Sequence, residues 1–197
     1  MLIVGELINT SRQVIKSAVE ERNTAFIQKI ARKQAKAGAH YLDVNCATMM
    51  EDEPEAMKWL AETIQEAVPS RLCIDSPNPE ALEAGLKIVK NTQPMINSIT
   101  AEKERYEAVL PLVLKYKAKV IALCIDDKGL PEAAKDRIPV ARWLVENLTS
   151  AGVSKDDIYL DPLDKVLMGF FYASRALLGQ DQFCKEYLSA HRGGLYK

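Results

Sequence analysis

Short apolar runs alternate with longer amphipathic segments along this chain, and that alternation limits the folds open to it. Runs rich in Val, Ile and Leu occur at Leu2–Val4, Tyr41–Val44, Leu72–Ile74, Pro94–Ile96, Val120–Cys124 and Ile158–Leu160. Nearly continuous apolar runs of this length are typical of strands that are buried on both faces. Six strand–helix units in succession therefore predict an α/β protein with a parallel sheet covered by helices.

The segments between these strands have helical spacing and recognisable helix ends. Helices are predicted at Phe26–Ala35 before Gly38, from Pro54, from Pro79 behind the N-cap Asn78, at Tyr106–Tyr116 and at Ile138–Leu148 before Gly152. No linker divides the chain, so we predict one domain over residues 1–197. Residues 1–163 form its six βα units and residues 164–197 its C-terminal helices.

Three sheet architectures fit this element order. A flavodoxin-like or Rossmann sheet has a suitable number of units, and a (β/α)8 barrel fits if two further units exist. The first strand leads into GELINTS, which is not the G-x-G-x-x-G loop of dinucleotide-binding sheets. A dinucleotide-binding fold is therefore disfavoured.

The charge balance argues against two classes of partner. The chain has 26 basic and 27 acidic residues, with neither sign gathered in a tail, whereas nucleic-acid and membrane-surface binders accumulate positive charge. No apolar run approaches the roughly 20 residues of a membrane-spanning helix. The first residues, MLIVGELIN, lack the features of a signal peptide. We expect a cytoplasmic protein.

The cysteines are far apart, at Cys46, Cys73, Cys124 and Cys184. They form no C-x-x-C pair and have no histidine at ligand spacing, so we expect buried thiols and no metal site.

Polar residues lie at or just past the ends of all six predicted strands. They are Glu6 and Asn9, Asp43 and Asn45, Asp75 and Asn78, Asn97 and Ser98, Asp126 and Asp127, and Asp161. Such residues often cap helices, which is the simpler interpretation of Asn78 and Ser98. The carboxyl ends of parallel strands nevertheless converge on the face where ligands bind. Acceptors with some amide donors suit a neutral heterocycle that offers N–H groups; Mg²⁺ stays open as a competing ligand.

Five ordered motifs, GELIN, LDVNCAT, LCIDSPN, MINSIT and IYLDPL, resemble those of the pterin-binding methyltransferases. That family transfers the methyl group of methyltetrahydrofolate to cob(I)alamin of a corrinoid protein. The resemblance covers residues 1 to 163. It implies a TIM-type barrel related to dihydropteroate synthase, usually a homodimer, with the pterin at the C-terminal ends of the strands.

The resemblance also assigns residues to the pterin. Asp75, Asn97 and Asp161 are expected to hydrogen-bond the ring, with Asp161 accepting from the ring N–H and its neighbouring amino group in fork geometry. Glu6, Asn9, Asp43, Asn45 and Ser98 are expected to surround them. No Ser or Cys nucleophile is needed, because cobalt on the partner is the nucleophile.

The chain departs from the family after IYLDPL. The family continues with a seventh strand, whose asparagine is thought to contact N5, and an eighth. Here a helical pattern begins at Asp164, and a second follows from Asp181 to His191. A barrel of this type has about 250 residues, so 197 is short by about two units. No catalytic residue is therefore assigned.

Three alternatives to a methyltransferase stay open. The first is a non-catalytic or degenerate pterin-binding module, suggested by the missing units. The second is a dihydropteroate synthase-like enzyme, although GELINTSRQVIK lacks that enzyme's loop after the first strand. The third is a metal-dependent, aldolase-like barrel.

Overall fold

The protein folds around six parallel strands, as seen in a computed structural model that describes residues 2–90 and 92–163. The strands are β1 (Val4–Asn9), β2 (Tyr41–Asn45), β3 (Arg71–Asp75), β4 (Met95–Thr100), β5 (Lys119–Leu123) and β6 (Ile158–Asp161). Each strand pairs with the next one along the chain, in the order β1-β2-β3-β4-β5-β6. The predicted parallel sheet is confirmed.

Helices connect the strands. They are α1 (Gln13–Glu20), α2 (Thr24–Lys36), α3 (Glu53–Ala67), α4 (Pro79–Ile88), α5 (Lys103–Tyr116) and α6 (Ala134–Ser150), with short 3-10 turns at Ala47–Asp52 and Lys155–Asp157. Local signals position several of them. The Asn78 side chain accepts from Glu80 N at 2.9 Å and caps α4, as predicted. Gly38 and Gly152 follow α2 and α6 with φ of +92° and +103°, where a residue with Cβ would be strained.

The strand order distinguishes between the predicted architectures. A doubly wound sheet reverses its order at a switch point, so that its helices cover both faces. Here the order never reverses, and right-handed crossovers then place every helix on the same face of the sheet. This is the arrangement of a barrel wall. Within the described residues, β1 and β6 are its two edges.

The two faces of the sheet bury different side chains. The outer face packs under the helices in one large apolar core that includes Leu42, Leu72 and Ile96. Burying a side chain of this kind contributes roughly 1.5–3 kcal/mol. The inner face has a small apolar cluster made of Tyr41, Cys73, Met95 and Ile121. Polar residues line the inner face beyond this cluster, toward the carboxyl ends of the strands.

The predicted end of the first strand is wrong. We expected the strand at residues 2–4, with Glu6 and Asn9 beyond it, but β1 includes both residues. The β1–β2 register is irregular between Gly5 and Ile8, and Leu7 N donates to Gln34 Oε1 of α2 at 2.9 Å. A helix side chain thus supports the strand where it becomes polar.

Other strands likewise continue into polar residues that we placed after them. Asn45 ends β2, Asp75 ends β3, and Asn97 and Ser98 lie inside β4. A strand in a parallel sheet extends as far as its backbone hydrogen bonds to the neighbouring strand, whether or not its side chains are apolar. Helix α1 was not predicted, although Ile15, Ala18 and Val19 are buried at helical spacing.

Some predictions fall outside the described part of the chain. The C-terminal helices predicted over residues 164–197, the first of them beginning at Asp164, belong to this group, as does Cys184. Cys46, Cys73 and Cys124 are free thiols and buried, as expected. No helix of the described residues is both long and apolar enough to cross a membrane.

Candidate functional site

The inner face of the sheet gathers polar side chains at the carboxyl ends of the strands. Because side chains alternate between faces, Glu6, Asp43, Asp75, Asn97 and Asp161 share the face of the small inner cluster. Asn45, Asp75 and Asn97 are register partners on three neighbouring strands and form a row across β2, β3 and β4. We call Glu6, Asp43, Asn45, Asp75, Asn97 and Asp161 the acidic mouth.

Two hydrogen bonds connect the amides and carboxylates of the mouth. Asn45 Nδ2 donates to Asp75 Oδ2 at 2.8 Å, and Asn97 Nδ2 donates to Asp43 Oδ2 at 3.4 Å. Asn45 Oδ1 in turn accepts from Ala47 N at 3.1 Å, which fixes the orientation of its amide. Each amide therefore presents its N–H₂ to a carboxylate.

Three carboxyl groups of the mouth have a raised pKa. Burial is the main cause for Glu6, Asp43 and Asp75. The charge of Asp75 raises the pKa of Asp43 and Glu6 further, and the charge of Glu6 also raises the pKa of Asp43. Asp43 is only 2% exposed and its pKa lies well above the ordinary range. The carboxyl groups of the mouth thus raise one another's pKa values through their charges.

Two arginines that the strand ends did not reveal act on these carboxylates. The positive charge of Arg12 opposes the rise in the pKa of Glu6, and that of Arg105 opposes the rise in the pKa of Asp75. Arg12 is the N-cap residue of α1, and Arg105 lies in the first turn of α5. The pattern of the strand ends did not reveal these cations, because they come from helices.

The turn after β3 is fixed to its surroundings. Ser76 Oγ donates to Oε1 of the buried Glu53 at 2.6 Å, and Ser76 N donates to Asn97 O at 3.2 Å. Ser76 is itself 1% exposed. Asp75 is consequently followed by a backbone with little freedom to move.

Several predicted strand-end residues serve the backbone instead. Asn9 Oδ1 accepts from Ser11 N at 2.8 Å, and Asp161 Oδ1 accepts from Leu163 N at 2.7 Å. Asp126 and Asp127 lie beyond β5 and accept from backbone N–H groups of Lys128 and Lys103. Asp161 still faces Glu6, whose pKa it raises, so it belongs to the mouth as well. Asp126 and Asp127 lie apart from it.

Other concave regions of the described surface do not include the mouth. A groove of about 540 Å³ lies at the opposite end of the sheet, beside Pro69 and Ser70. Another of about 440 Å³ lies between α5 and α6, beside Tyr106 and Trp143. Within residues 2–90 and 92–163, no three His, Cys, Asp or Glu side chains are grouped to hold a metal ion.

The fold and the mouth together define a (β/α)-barrel protein with polar side chains gathered at the carboxyl ends of its strands. The family described as pterin binding enzyme matches residues 5–171. The chain belongs to this family of pterin binding enzymes.

Known relatives agree with this assignment. The chain is 35% identical over 164 residues to a methylcorrinoid:tetrahydrofolate methyltransferase from Eubacterium limosum, covering 82% of this chain and 60% of the relative. It is 28% identical over 170 residues to methionine synthase from Mycobacterium tuberculosis, covering 83% of this chain and 14% of that protein. The chain thus spans about 60% of the length of the first relative and a small part of the second.

Dihydropteroate synthases are among the solved structures with the same fold. The enzyme from Xanthomonas albilineans with 4-aminobenzoic acid has a TM-score of 0.60 at 20% identity, over 97% of this chain and 66% of that one. The enzyme from Thermus thermophilus has a TM-score of 0.58 at 18% identity, over 96% of this chain and 68% of that one. At these identities the likeness concerns the fold, and it confirms the predicted TIM-type barrel.

Proposed function

We propose that this chain forms the pterin site of a methyltransferase that exchanges a methyl group between N5 of tetrahydrofolate and a corrinoid protein. The observation that carries the proposal is the row of Asn45, Asp75 and Asn97 across three strands of the mouth. The similarity to the Eubacterium limosum methyltransferase supports it. A cytoplasmic homodimer, predicted from the sequence, is part of the same proposal.

The proposed roles in the mouth follow from its donors and acceptors. Asp161 accepts from a ring N–H and the adjacent amino group, while Asp75 and Asn97 bond other ring heteroatoms. Asn45 supports Asp75 through the 2.8 Å bond, and Asp43 supports Asn97 through the 3.4 Å bond. Glu6, Asn9 and Ser98 surround these groups. A neutral ring with several N–H groups matches such acceptors better than an anion, which needs basic groups or a helix N-terminus.

The raised pKa values have a use in this reaction. Methyl loss from N5 becomes easier when the nitrogen is protonated or hydrogen-bonded as the bond breaks. Glu6 and Asp43 hold protons more tightly than ordinary carboxyl groups and face the same site. The corrinoid of the partner protein supplies cobalt as the methyl acceptor or donor.

The direction of transfer is also part of the proposal. The name of the Eubacterium limosum relative gives transfer from methylcorrinoid to tetrahydrofolate, the reverse of the direction expected from the sequence. Both directions share one transition state, so the same contacts serve both. We therefore propose exchange in either direction.

A pterin-binding module without catalysis is the second candidate. It needs only the acceptors and amides of the mouth, since no residue of the described part of the chain is assigned to the methyl-transfer step. Such a module binds methyltetrahydrofolate but transfers no methyl group to free cob(I)alamin. The dihydropteroate synthase-like alternative rests on likeness of fold alone.

Calorimetric titration with methyltetrahydrofolate tests the site. Asp75→Asn removes a charged acceptor, and hydrogen bonds to charged groups are worth roughly 1.5–3 kcal/mol. The dissociation constant should therefore rise about 10- to 150-fold. Asp136→Asn is the matched control, because Asp136 is exposed in the first turn of α6 and should bind like wild type.

The outcomes separate the two candidates. Binding that depends on Asp75, with methyl transfer to cob(I)alamin, supports the methyltransferase. The same binding without transfer supports the module. Equal affinity for the Asp75→Asn and wild-type proteins contradicts the pterin site.

A further inference from the structure

Arg105 makes an unusual set of contacts beside the acidic mouth. Its guanidinium donates four hydrogen bonds to three backbone carbonyl oxygens. Nε and Nη2 both donate to Ser98 O, at 3.0 and 2.7 Å; Nη2 also donates to Ser76 O at 2.8 Å, and Nη1 donates to Pro77 O at 2.6 Å. A planar guanidinium with donors in a fixed fork can connect two backbone segments in this way, whereas an ammonium group cannot match all of the contacts.

The acceptors stand next to the residues of the proposed pterin site. Ser76 and Pro77 directly follow Asp75, and Ser98 directly follows Asn97. The arginine therefore joins the end of β3 to β4 where each strand presents its polar side chain. Glu53 fixes the same turn from the other side through Ser76 Oγ.

Arg105 also provides charge. Its side chain is half-buried; burial lowers the pKa of the guanidinium, and the charge of Asp75 opposes that fall. Several groups either shift the pKa of Asp75 through their charge or have a pKa that the charge of Asp75 shifts. They are Glu6 on β1, Asp43 on β2, Cys46 after β2, Cys73 on β3, Glu53 on α3 and Arg105 on α5. Among these groups Arg105 alone is a cation.

We propose that Arg105 is a positioning residue of the pterin site, which holds the backbone beside Asp75 and Asn97 and supplies the positive charge that keeps Asp75 an acceptor. This inference rests on the proposed function for its ligand. It assigns a role to a helix residue that acts on the site in two ways: through hydrogen bonds to the backbone carbonyls of the neighbouring strands and turn, and through the electrostatic effect of its charge on Asp75.

Three variants separate charge from geometry. Arg105→Gln removes both the charge and the fork, and Arg105→Lys keeps the charge but loses the fork. Lys103→Gln removes one positive charge from an exposed residue of the same helix and serves as the control. The thermal midpoint of each variant shows whether it folds.

The first measurement is the titration of Asp75 in the ligand-free protein by carboxyl ¹³C NMR, with the signal assigned from Asp75→Asn. Burial already raises the pKa of Asp75, and the hydrogen bond from Asn45 and the charge of Arg105 both oppose that rise. We expect an upward shift in Arg105→Gln, little shift in Arg105→Lys and none in Lys103→Gln. An unshifted titration in Arg105→Gln overturns the charge role.

The second measurement is the affinity for methyltetrahydrofolate. We expect Arg105→Gln to weaken binding about tenfold or more, with the loss growing at low pH as Asp75 becomes protonated, and Arg105→Lys to restore part of the affinity. A purely structural role lowers the thermal midpoint in Arg105→Gln and Arg105→Lys without moving the Asp75 titration or the affinity, and this result overturns the inference.

Failure of the proposed function gives a different result. If wild type binds no pterin while the Asp75 titration still shifts in Arg105→Gln, the ligand is wrong and the link between Arg105 and Asp75 stands. If wild type binds but Arg105→Gln binds equally well, the pterin site stands and the positioning role is wrong.

Discussion

Replacing Asp43 by asparagine should stabilise the protein at neutral pH. Asp43 is 2% exposed, and burial together with the charges of Asp75 and Glu6 raises its pKa. Asp43 pairs in register with Cys73, so Asp75 is its diagonal neighbour on β3, roughly 7 Å away. Two unit charges at that distance repel by about 2 kcal/mol at an effective dielectric constant of about 20. Asparagine keeps an acceptor for Asn97 and removes this repulsion.

The sign of the effect depends on pH. The pKa of Asp43 is higher in the folded than in the unfolded protein, so ionisation favours the unfolded state. The penalty is absent below the unfolded pKa, near pH 4, and grows as the pH rises toward the folded pKa. Asp43→Asn should therefore gain on the order of 2 kcal/mol at pH 8 and less at pH 5.

Urea unfolding at the two pH values measures this difference, because urea adds no ionic strength. Asp136→Asn is the control, since an exposed substitution should change the free energy of unfolding by less than about 0.5 kcal/mol. A variant that is less stable than wild type at pH 8, or equally stabilised at both pH values, would refute the electrostatic reasoning.

Two further predictions concern packing and the thiols. Gly85→Ala should lower the free energy of unfolding by about 1 kcal/mol, because a Cβ there meets Met57 Cγ at 2.9 Å and Ile74 Cγ2 at 3.0 Å. This overpacking outweighs the gain in helix propensity. Chemical denaturation measures the change, and a variant more stable than wild type contradicts the packing argument. Burial raises the pKa of Cys46 and Cys124 to about 12, so iodoacetamide at pH 8 should label their peptides only after denaturation. Mass spectrometry of the peptides checks this. Rapid labelling of the native protein would contradict the prediction, because it would mean that the thiols are accessible.

Much of the fold could be predicted from local patterns. The apolar runs of β2, β3, β5 and β6 and the helix spacing determined the parallel sheet, because a strand buried on both faces must be apolar over several residues. The N-cap at Asn78 and the helix ends before Gly38 and Gly152 could also be predicted, since these signals depend on neighbouring residues alone. Helix α1 could have been found from the spacing of Ile15, Ala18 and Val19.

The site was only partly predictable. The resemblance of five motifs selected Asp75, Asn97 and Asp161, and the structure places all three on the inner face. The strand ends were misjudged around Glu6 and Asn97, because hydrophobicity falls where the ligand face begins while the backbone pairing continues. Asp126 resembled a site residue in sequence but serves a turn.

What the sequence determined by itself is the series of strands and helices and the chemical types at the strand ends. These follow from spacing and composition within short windows, where the side-chain pattern fixes which surface is buried. Only the tertiary structure decided the register that aligns Asn45, Asp75 and Asn97, and the arrival of Arg105 from α5 at the carbonyls beside them. Those contacts join residues far apart in the chain, and their geometry exists only once the strands have paired and the helices have packed against them.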